Sequence, residues 1–303
     1  MRTDLLLLAV AVIWGSSYLA AKSMVVAGGV LVVLAMRFLL SAAALLPVTV
    51  IRSGRPGRRE LAVGLFLGCT QSAVLVLETY GVSLTSATNA GVLISLTILL
   101  TPVLEGIARR RLLPPRFFGA ALLATAGVAL LVAGPGWVRP SAGDALMLAA
   151  AVVRAVHVTC SARLTRGRDY DTVTLTTLQT VTGAVIFGVA AGPALVPAVA
   201  DYSAGQWLGA LYLALGCSVF AFLVQLFAVR RTSAARASLL LGTEPVWAVL
   251  IGVGLGGEHL TALSIAGITL VLIGTYTGQR VEALDRTSER QRWSLRASTP
   301  AAR

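Results

Sequence analysis

Ten apolar runs of roughly twenty residues follow one another along the chain, separated by short polar loops. A helix rises about 1.5 Å per residue, so a run of this length crosses the ~30 Å hydrocarbon core of a bilayer. Backbone groups in lipid need hydrogen-bond partners within the chain, and a helix supplies them. The pattern therefore predicts ten membrane-spanning helices, over 4–22, 30–51, 61–81, 88–108, 117–134, 144–163, 172–192, 206–228, 236–256 and 262–279.

The composition is that of a protein that lies in lipid. The chain has 303 residues, of which 56% are hydrophobic and 13% are charged, and its mean hydropathy is +0.83. A soluble domain carries about a quarter charged residues. The sequence thus indicates an all-α integral membrane protein. Its three cysteines lie inside predicted helices without paired spacing, so neither a disulfide nor a metal site is expected.

The net charge of +12 is a topology signal rather than a sign of nucleic-acid binding. Lysine and arginine collect on alternate loops, and the loops between these carry only Lys22 and Arg139. Positively charged loops mark the cytoplasmic side of a membrane protein. We therefore predict a protein of the cytoplasmic membrane with both termini in the cytoplasm. The polar segment 280–303 is expected to be a disordered cytoplasmic tail.

The second half of the chain repeats the first. Residues 77–93 resemble residues 224–240, and residues 11–20 resemble residues 151–160. Each half holds five predicted helices, and because five is odd, the second half enters the membrane from the opposite side. This arrangement predicts two inverted repeats, an architecture found in many secondary transporters. The predicted units are the first repeat at 1–134, the second repeat at 135–279 and the tail at 280–303.

Short motifs follow one another in a characteristic order through both halves. They are Trp14-Gly15-Ser16-Ser17, Arg37-Phe38, Glu78-Thr79-Tyr80-Gly81, Thr85-Ser86-Ala87, Thr101-Pro102, Ala155-Val156-His157, Leu178-Gln179, Gln225, Thr243-Glu244-Pro245 and Gly257-Glu258-His259-Leu260. In this order the motifs resemble the drug/metabolite transporter (DMT) superfamily, in its ten-helix EamA-type branch. The resemblance implies a bacterial inner-membrane transporter of amino acids, other metabolites or toxic compounds. It also implies a substrate cavity between two five-helix repeats.

Five ionisable side chains fall inside the predicted helices, where a charge is costly and usually faces a cavity or a partner. They are Arg37, Glu78, Arg154, His157 and Glu244. By depth along their helices, Arg154, His157 and Glu244 are predicted to cluster, either as a functional site or as a structural ion pair. Arg37 and Glu78 are predicted to lie within reach of each other nearer the outer face. Arg37 could bind a substrate carboxylate, and Glu78 or Glu244 could carry a proton.

Uncharged polar and aromatic side chains inside other predicted helices complete the candidate substrate site. When the two halves of the sequence are aligned, Gln179 corresponds to Arg37 and Gln225 corresponds to Glu78. The two glutamines either contact a solute or join helices. Trp14, Tyr18 and Trp247 lie in mid-helix rather than at the membrane interfaces. Their rings either stack on a planar or cationic substrate or pack in the core.

Together, the pattern and the resemblance favour a secondary active transporter that exports a small amino-acid-like or drug-like solute by alternating access. The expected partners are the solute, the bilayer and, under proton antiport, protons. No cofactor is expected, and the sequence does not define the oligomeric state. Uncoupled exchange through the same fold is an alternative. A non-transporting membrane protein and an intramembrane enzyme are others, although the sequence has no GxxxxGK[ST], HExxH or GxSxG motif.

Overall fold

A computed structural model of the protein shows a bundle of α-helices and, among the residues it describes, no β-strand. The described residues are 2–52, 55–85, 87–132, 141–256 and 261–298. The helices are α1 (Arg2–Arg52), α2 (Arg58–Leu84), α3 (Ala87–Ser95), α4 (Thr97–Arg109), α5 (Pro115–Val132), α6 (Ala142–Thr165), α7 (Thr172–Ala191), α8 (Leu195–Ala200), α9 (Ala204–Ala214), α10 (Ala221–Arg231), α11 (Ala234–Leu241), α12 (Glu244–Gly256) and α13 (Ala262–Ser298). A 3-10 turn at Gly192–Ala194 precedes α8, and a π-helical turn at Leu215–Phe220 joins α9 to α10.

Most of these helices belong to segments that are long and apolar enough to cross a membrane. The part of the chain that the structure describes has eight such segments, which are Gly28–Arg52, Arg58–Leu84, Ala90–Arg109, Ala142–Thr165, Thr172–Ala200, Ala204–Arg231, Ala234–Ile251 and Ala262–Ser288. Pro115–Leu131 is a shorter apolar helix, and residues 2–28 form a further helical arm. The all-α membrane architecture is confirmed, whereas the count of ten membrane spans stays a prediction.

Helix α1 consists of two arms that meet at Gly29. The backbone of Gly29 has φ 78° and ψ 166°, a conformation that residues with a Cβ rarely adopt. The kink separates residues 2–28 from residues 30–52. These arms correspond to the predicted spans 4–22 and 30–51, so glycine supplies the bend that connects them.

The predicted fourth and ninth spans are each broken near the middle. Leu96 separates α3 from α4, and Gly242 and Thr243 separate α11 from α12. Pro245 is the second residue of α12, where the missing N–H of a proline costs the helix no hydrogen bond. Pro102 lies inside α4. Each of these two spans is therefore a pair of shorter helices rather than a continuous one.

The largest apolar core lies between α1, α7 and the α9–α10 segment. Phe38 is fully buried there, with its ring centroid 5.3 Å from that of Phe187 and 6.3 Å from that of Phe222. Helix α2 packs against α6 and α7, and α5 packs along α13. The second arm of α1 is thus enclosed by helices from the second half of the chain.

The contact between α5 and α13 depends on glycine. A Cβ atom on Gly127 would lie 2.6 Å from the backbone nitrogen of Val271, and a Cβ on Gly267 would lie 2.6 Å from that of Leu131. Real Cβ atoms do not come so close to backbone, so the two helices pack backbone to backbone. Small residues at a helix interface allow this close approach in membrane proteins.

The C-terminal helix continues into the segment 280–303, which the sequence predicts to be a disordered tail. Helix α13 continues to Ser298, and Glu282 is only 1% exposed. Glu282 pairs at 3.3 Å with Arg236, which also pairs with Asp4 at 2.8 Å. Charged residues of the segment thus find partners on other helices, which a prediction from composition alone does not anticipate. Residues 299–303 lie outside the described residues.

Replacing Gly127 by alanine should destabilise the protein, because the new Cβ would collide with the backbone of α13. Overpacking of this kind costs about 1–3 kcal/mol. We expect a clearly lower melting temperature of the purified protein in detergent, followed by intrinsic fluorescence. Gly119→Ala on the same helix is the control, because nothing lies within 4 Å of its Cβ position. Equal melting temperatures of the two variants would contradict the close contact.

Candidate functional site

A small cavity lies between the two helix breaks. Its volume is about 40 Å³. A cavity of that size holds a few water molecules, whereas small-molecule sites measure about 300–1,000 Å³. In this form the cavity is therefore too small to hold a drug-sized solute. The lining residues are Trp14, Ile94, Ser95, Thr97, Ile98, Arg154, Val158, Gln225, Ser238, Leu241, Gly242, Glu244 and Pro245.

Arg154 lies between two carboxylates. Its Nη2 donates a hydrogen bond to Oε2 of Glu78 at 2.7 Å, and its Nη1 lies 3.9 Å from Oε2 of Glu244. Arg154 lies on α6, Glu78 on α2 and Glu244 in the first turn of α12, and each side chain is less than one-fifth exposed. The amino terminus of α12 also favours the negative charge of Glu244. Because isolated charges are costly in a membrane, each of the three charges depends on the others.

The indole ring of Trp14 packs against this cluster. The Cζ atom of Arg154 lies 5.4 Å from the ring centroid, within the range of a cation–π interaction. The Nε1 of Trp14 donates a hydrogen bond to the carbonyl oxygen of Cys217 at 3.0 Å. Gly15 permits the approach of α1 to α12, because a Cβ there would lie 2.8 Å from the carbonyl oxygen of Glu244. The first arm of α1 therefore forms one wall of the site.

Arg37 contacts the π-helical turn rather than Glu78, so the predicted Arg37–Glu78 pair is wrong. Its Nε donates to Oγ of Ser218 at 2.6 Å, and its Nη2 donates to the carbonyl oxygen of Cys217 at 2.9 Å. Its Cζ lies 5.9 Å from the ring centroid of Phe222. Depth along a helix can be read from sequence, but direction around the helix cannot. Here α1 directs Arg37 toward the turn, and α2 directs Glu78 toward α6.

His157 lies apart from the carboxylates, which corrects the predicted Arg154–His157–Glu244 cluster. Arg154 and Glu244 are brought together, but the Nδ1 of His157 lies 2.8 Å from Oγ1 of Thr70 on α2. Arg154 also faces α2, through Glu78, so the two side chains contact the same helix at different levels. The imidazole, which is 4% exposed, lies one helical turn from Arg154 along α6 and has its partner on α2.

Of the remaining candidate residues, one lines the cavity and the others that the structure describes lie elsewhere. Gln225 lines the cavity. Gln179 is 2% exposed and donates a hydrogen bond to a backbone carbonyl of its own helix, outside the cavity lining. Trp247 donates to Oγ1 of Thr243 at 3.3 Å, at the break between α11 and α12. The side chain of Tyr18 lies outside the part of the chain that the structure describes.

Hydroxyl side chains at the site are absent from the sequence-based prediction. Ser95, Thr97 and Ser238 line the cavity, and Ser218 accepts a hydrogen bond from Arg37. Serine and threonine are common in membrane helices and often bond only to their own backbone. No sequence signal distinguishes these four from the others, because their role follows from the helix breaks and the π-helical turn.

The two halves of the chain match a protein family separately. The model of the EamA-like transporter family matches residues 1–133 and residues 141–277. The chain belongs to the EamA-like transporter family. The resemblance read from the motifs is thereby confirmed, and the EamA-like transporter is a multi-pass protein of the inner membrane.

Relatives of this EamA-like transporter are named as transporters. It is 28% identical over 293 residues to the inner membrane transporter YedA of Escherichia coli strain K12, covering 89% of this chain and 90% of the relative. It is 24% identical over 275 residues to a transporter of Archaeoglobus fulgidus, covering 90% of this chain and 84% of the relative. A solved crystal structure of a protein 17% identical to the EamA-like transporter matches it with a TM-score of 0.76, over 93% of this chain and 98% of that one. The last comparison shows the shared fold.

Replacing Arg37 by lysine should weaken the contact between α1 and the π-helical turn. A guanidinium donates to Ser218 and Cys217 at once, whereas an ammonium is a single point charge. Hydrogen bonds from charged groups contribute about 1.5–3 kcal/mol, so we expect a lower melting temperature. Arg52→Lys, at the exposed end of α1, is the control. A melting temperature of Arg37→Lys equal to that of the control would exclude this role for the guanidinium.

Proposed function

We propose that this EamA-like transporter is a secondary active transporter that exports small solutes by alternating access, with protons as the coupling ion. The observation that carries the proposal is the charged cluster of Glu78, Arg154 and Glu244 beside a small cavity between two broken helices. The proposal assigns no catalysed reaction and no cofactor to the chain. It places both termini in the cytoplasm, on the side where the basic loops lie.

The contact between Trp14 and Arg154 supports an arrangement of two inverted repeats. These residues occupy equivalent positions in the two halves of the sequence, and the ring and the guanidinium lie 5.4 Å apart. Residues related by a two-fold axis meet only near that axis. The family model also matches each half separately. We therefore place the cavity on the axis between the repeats 1–134 and 135–279, where transporters of this type bind their substrates.

The two helix breaks support a binding site that both halves share. Leu96 and the pair Gly242–Thr243 fall at corresponding places in the two halves. In secondary transporters, discontinuous helices supply binding groups near the bilayer midplane, because unwound backbone offers N–H and C=O groups. Ser95 and Thr97 line the cavity from the first break, and Gly242 lines it from the second. A solute bound there contacts both halves, as alternating access requires.

Of the two candidate proton carriers, Glu244 suits the role better. Glu78 accepts a hydrogen bond from Arg154 at 2.7 Å, which favours its ionised form. Glu244 lies 3.9 Å from the same guanidinium, beyond hydrogen-bond distance, so this attraction is weaker. Among the described residues, further charged or titratable groups near the site include Cys217, Arg37, which faces the π-helical turn, and His157, which faces α2. Protonation of Glu244 would loosen the cluster from α12.

Ion pairs at the proposed cytoplasmic end join the two halves of the chain. Arg236 pairs with Asp4 at 2.8 Å, and Arg111 pairs with Asp285 at 2.7 Å. Each pair links a residue of the first half to one of the second. Opening toward the cytoplasm separates the halves at this end, so these contacts are expected to break and reform during transport.

The proposed coupling can be tested with purified protein in proteoliposomes that carry an imposed pH gradient. A panel of amino acids, nucleosides and organic cations should contain a solute whose flux follows the gradient. We expect Glu244→Gln to abolish the dependence on the gradient, because an amide carries no proton at this position. Glu78→Gln should lower the flux and largely keep its dependence on the gradient, because it removes the negative charge with which Arg154 pairs.

Asp201→Asn is the matched control for these neutralisations. Asp201 is an exposed carboxylate in the turn before α9, and its variant should keep both the flux and its dependence on the gradient. Wild-type flux that ignores the gradient would contradict proton coupling and favour uncoupled exchange. Gradient-dependent flux that survives in Glu244→Gln would assign the proton to another group.

A further inference from the structure

A cavity of about 300 Å³ lies at the proposed cytoplasmic end of the bundle. It shares no lining residue with the small cavity beside the charged cluster. The start of α1, the turn between α10 and α11, and α13 enclose it. The charged residues that line it are Arg231, Arg236, Arg286, Asp4 and Glu282. With three guanidiniums and two carboxylates, the lining has an excess of positive charge, and the volume reaches the range of small-molecule sites.

Both carboxylates of the cavity are held by one arginine. The Nε of Arg236 donates a hydrogen bond to Oδ1 of Asp4 at 2.8 Å, and its Nη1 donates to Oε2 of Glu282 at 3.3 Å. Glu282 is 1% exposed, and its Oε1 accepts a hydrogen bond from Oγ of Ser233 at 2.7 Å. The negative charge of the cavity is therefore largely compensated by Arg236, and the excess positive charge belongs to the other two arginines.

Arg231 and Arg286 are the two guanidiniums that a ligand can reach. Arg231 is exposed and, in the part of the chain that the structure describes, pairs with no carboxylate; its Cζ lies 4.5 Å from the ring centroid of Phe227. The Nη1 of Arg286 lies 3.6 Å from Oε1 of Glu282, beyond hydrogen-bond distance. A guanidinium matches a pair of phosphate oxygens with two parallel hydrogen bonds. The two arginines therefore suit an anion with several oxygens.

The cavity lies at the level where lipid phosphates are found. The apolar segments Ala204–Arg231 and Ala262–Ser288 end beside it, and the segment Ala234–Ile251 begins there. Lipid headgroups lie just outside the hydrocarbon core that such segments cross. Leu5 and Leu284 each directly follow a lining residue, and they are 64% and 71% exposed. Exposed apolar side chains beside a basic pocket between membrane helices suit the acyl chains and the headgroup of an anionic lipid.

We propose that this cavity is a phosphate-binding site, in which Arg231 and Arg286 bind the phosphate of a lipid headgroup or of a soluble phosphate ester. A phosphate monoester offers three oxygens to two guanidiniums, whereas a carboxylate offers two and suits a single one. The site is separate from the charged cluster beside the small cavity, and the inference does not rest on transport.

The assignment is tested with two pairs of probes that differ only in the phosphate. Dioctanoylphosphatidate and dioctanoylglycerol share their acyl chains, and glycerol phosphate and glycerol have none. Binding to the full-length protein in a neutral detergent is measured by native mass spectrometry for the first pair and by equilibrium dialysis for the second. We expect at least about tenfold tighter binding of a probe with phosphate than of its partner, because hydrogen bonds to charged groups are strong.

The acyl chains identify the source of the phosphate. A preference for phosphate that appears only between dioctanoylphosphatidate and dioctanoylglycerol assigns the site to a lipid headgroup. Binding of glycerol phosphate as tight as that of dioctanoylphosphatidate assigns it to a soluble ester. Either result supports the phosphate site.

Three variants separate the cavity from the general attraction of a basic surface. Arg231→Gln and Arg286→Gln should each weaken binding of the phosphate probes about tenfold and leave dioctanoylglycerol unchanged. Arg231 is exposed, so its replacement should leave the fold intact. Arg58→Gln is the matched control, because Arg58 is an exposed arginine in the first turn of α2 and does not line the cavity. It should keep wild-type binding.

Three results would overturn the assignment. The first is equal binding of the probes with and without phosphate. The second is a preference for phosphate that neither Arg231→Gln nor Arg286→Gln reduces. The third is an equal loss in Arg58→Gln, which would assign the binding to the charge of the whole surface. Since these measurements use binding without flux, their outcome is independent of the transport test of the proposed function.

Discussion

The pairing of one guanidinium with two carboxylates inside the helix bundle is the constraint on which the rest of the site depends. Arg154 needs Glu78 and Glu244 as partners, because a lone charge in lipid or in a dry core costs several kcal/mol. To bring them together, α2, α6 and α12 have to meet at one level. The break before Glu244 and the glycine at position 15 allow α12 and α1 to approach that level.

A buried ion cluster of this kind is a poor way to gain stability. Replacing buried ion pairs by apolar side chains of similar volume is often neutral or stabilising. The bundle already has a large apolar core around Phe38 and close glycine contacts between α5 and α13. Under the proposed function, the charges beside the cavity serve binding instead of stability. A solute or a proton would then exchange with one of their partners, whereas an apolar core has nothing to exchange.

The sequence predicts depth to about one helical turn and direction poorly. Apolar run length places His157 and Glu244 at a similar depth with Arg154 one turn further out, but the residue that meets Glu244 is Arg154. The same reasoning pairs Arg37 with Glu78, but helix rotation turns Arg37 toward Ser218. The π-helical turn that receives it carries no recognisable motif. The composition of the tail suggests disorder, yet Glu282 finds Arg236 on another helix, a long-range contact that no local pattern contains.

Alternating access at the cavity is the central claim, and cysteine labelling at Ser238 tests it most directly. Ser238 lines the cavity from α11, and Ser238→Cys can be placed in a protein whose native Cys69, Cys160 and Cys217 are replaced by alanine. An impermeant thiol reagent is then added to one side of sealed vesicles at a time. The account predicts labelling from either side, with a transported solute shifting the balance between the two. Labelling confined to one side whatever the solute would contradict it.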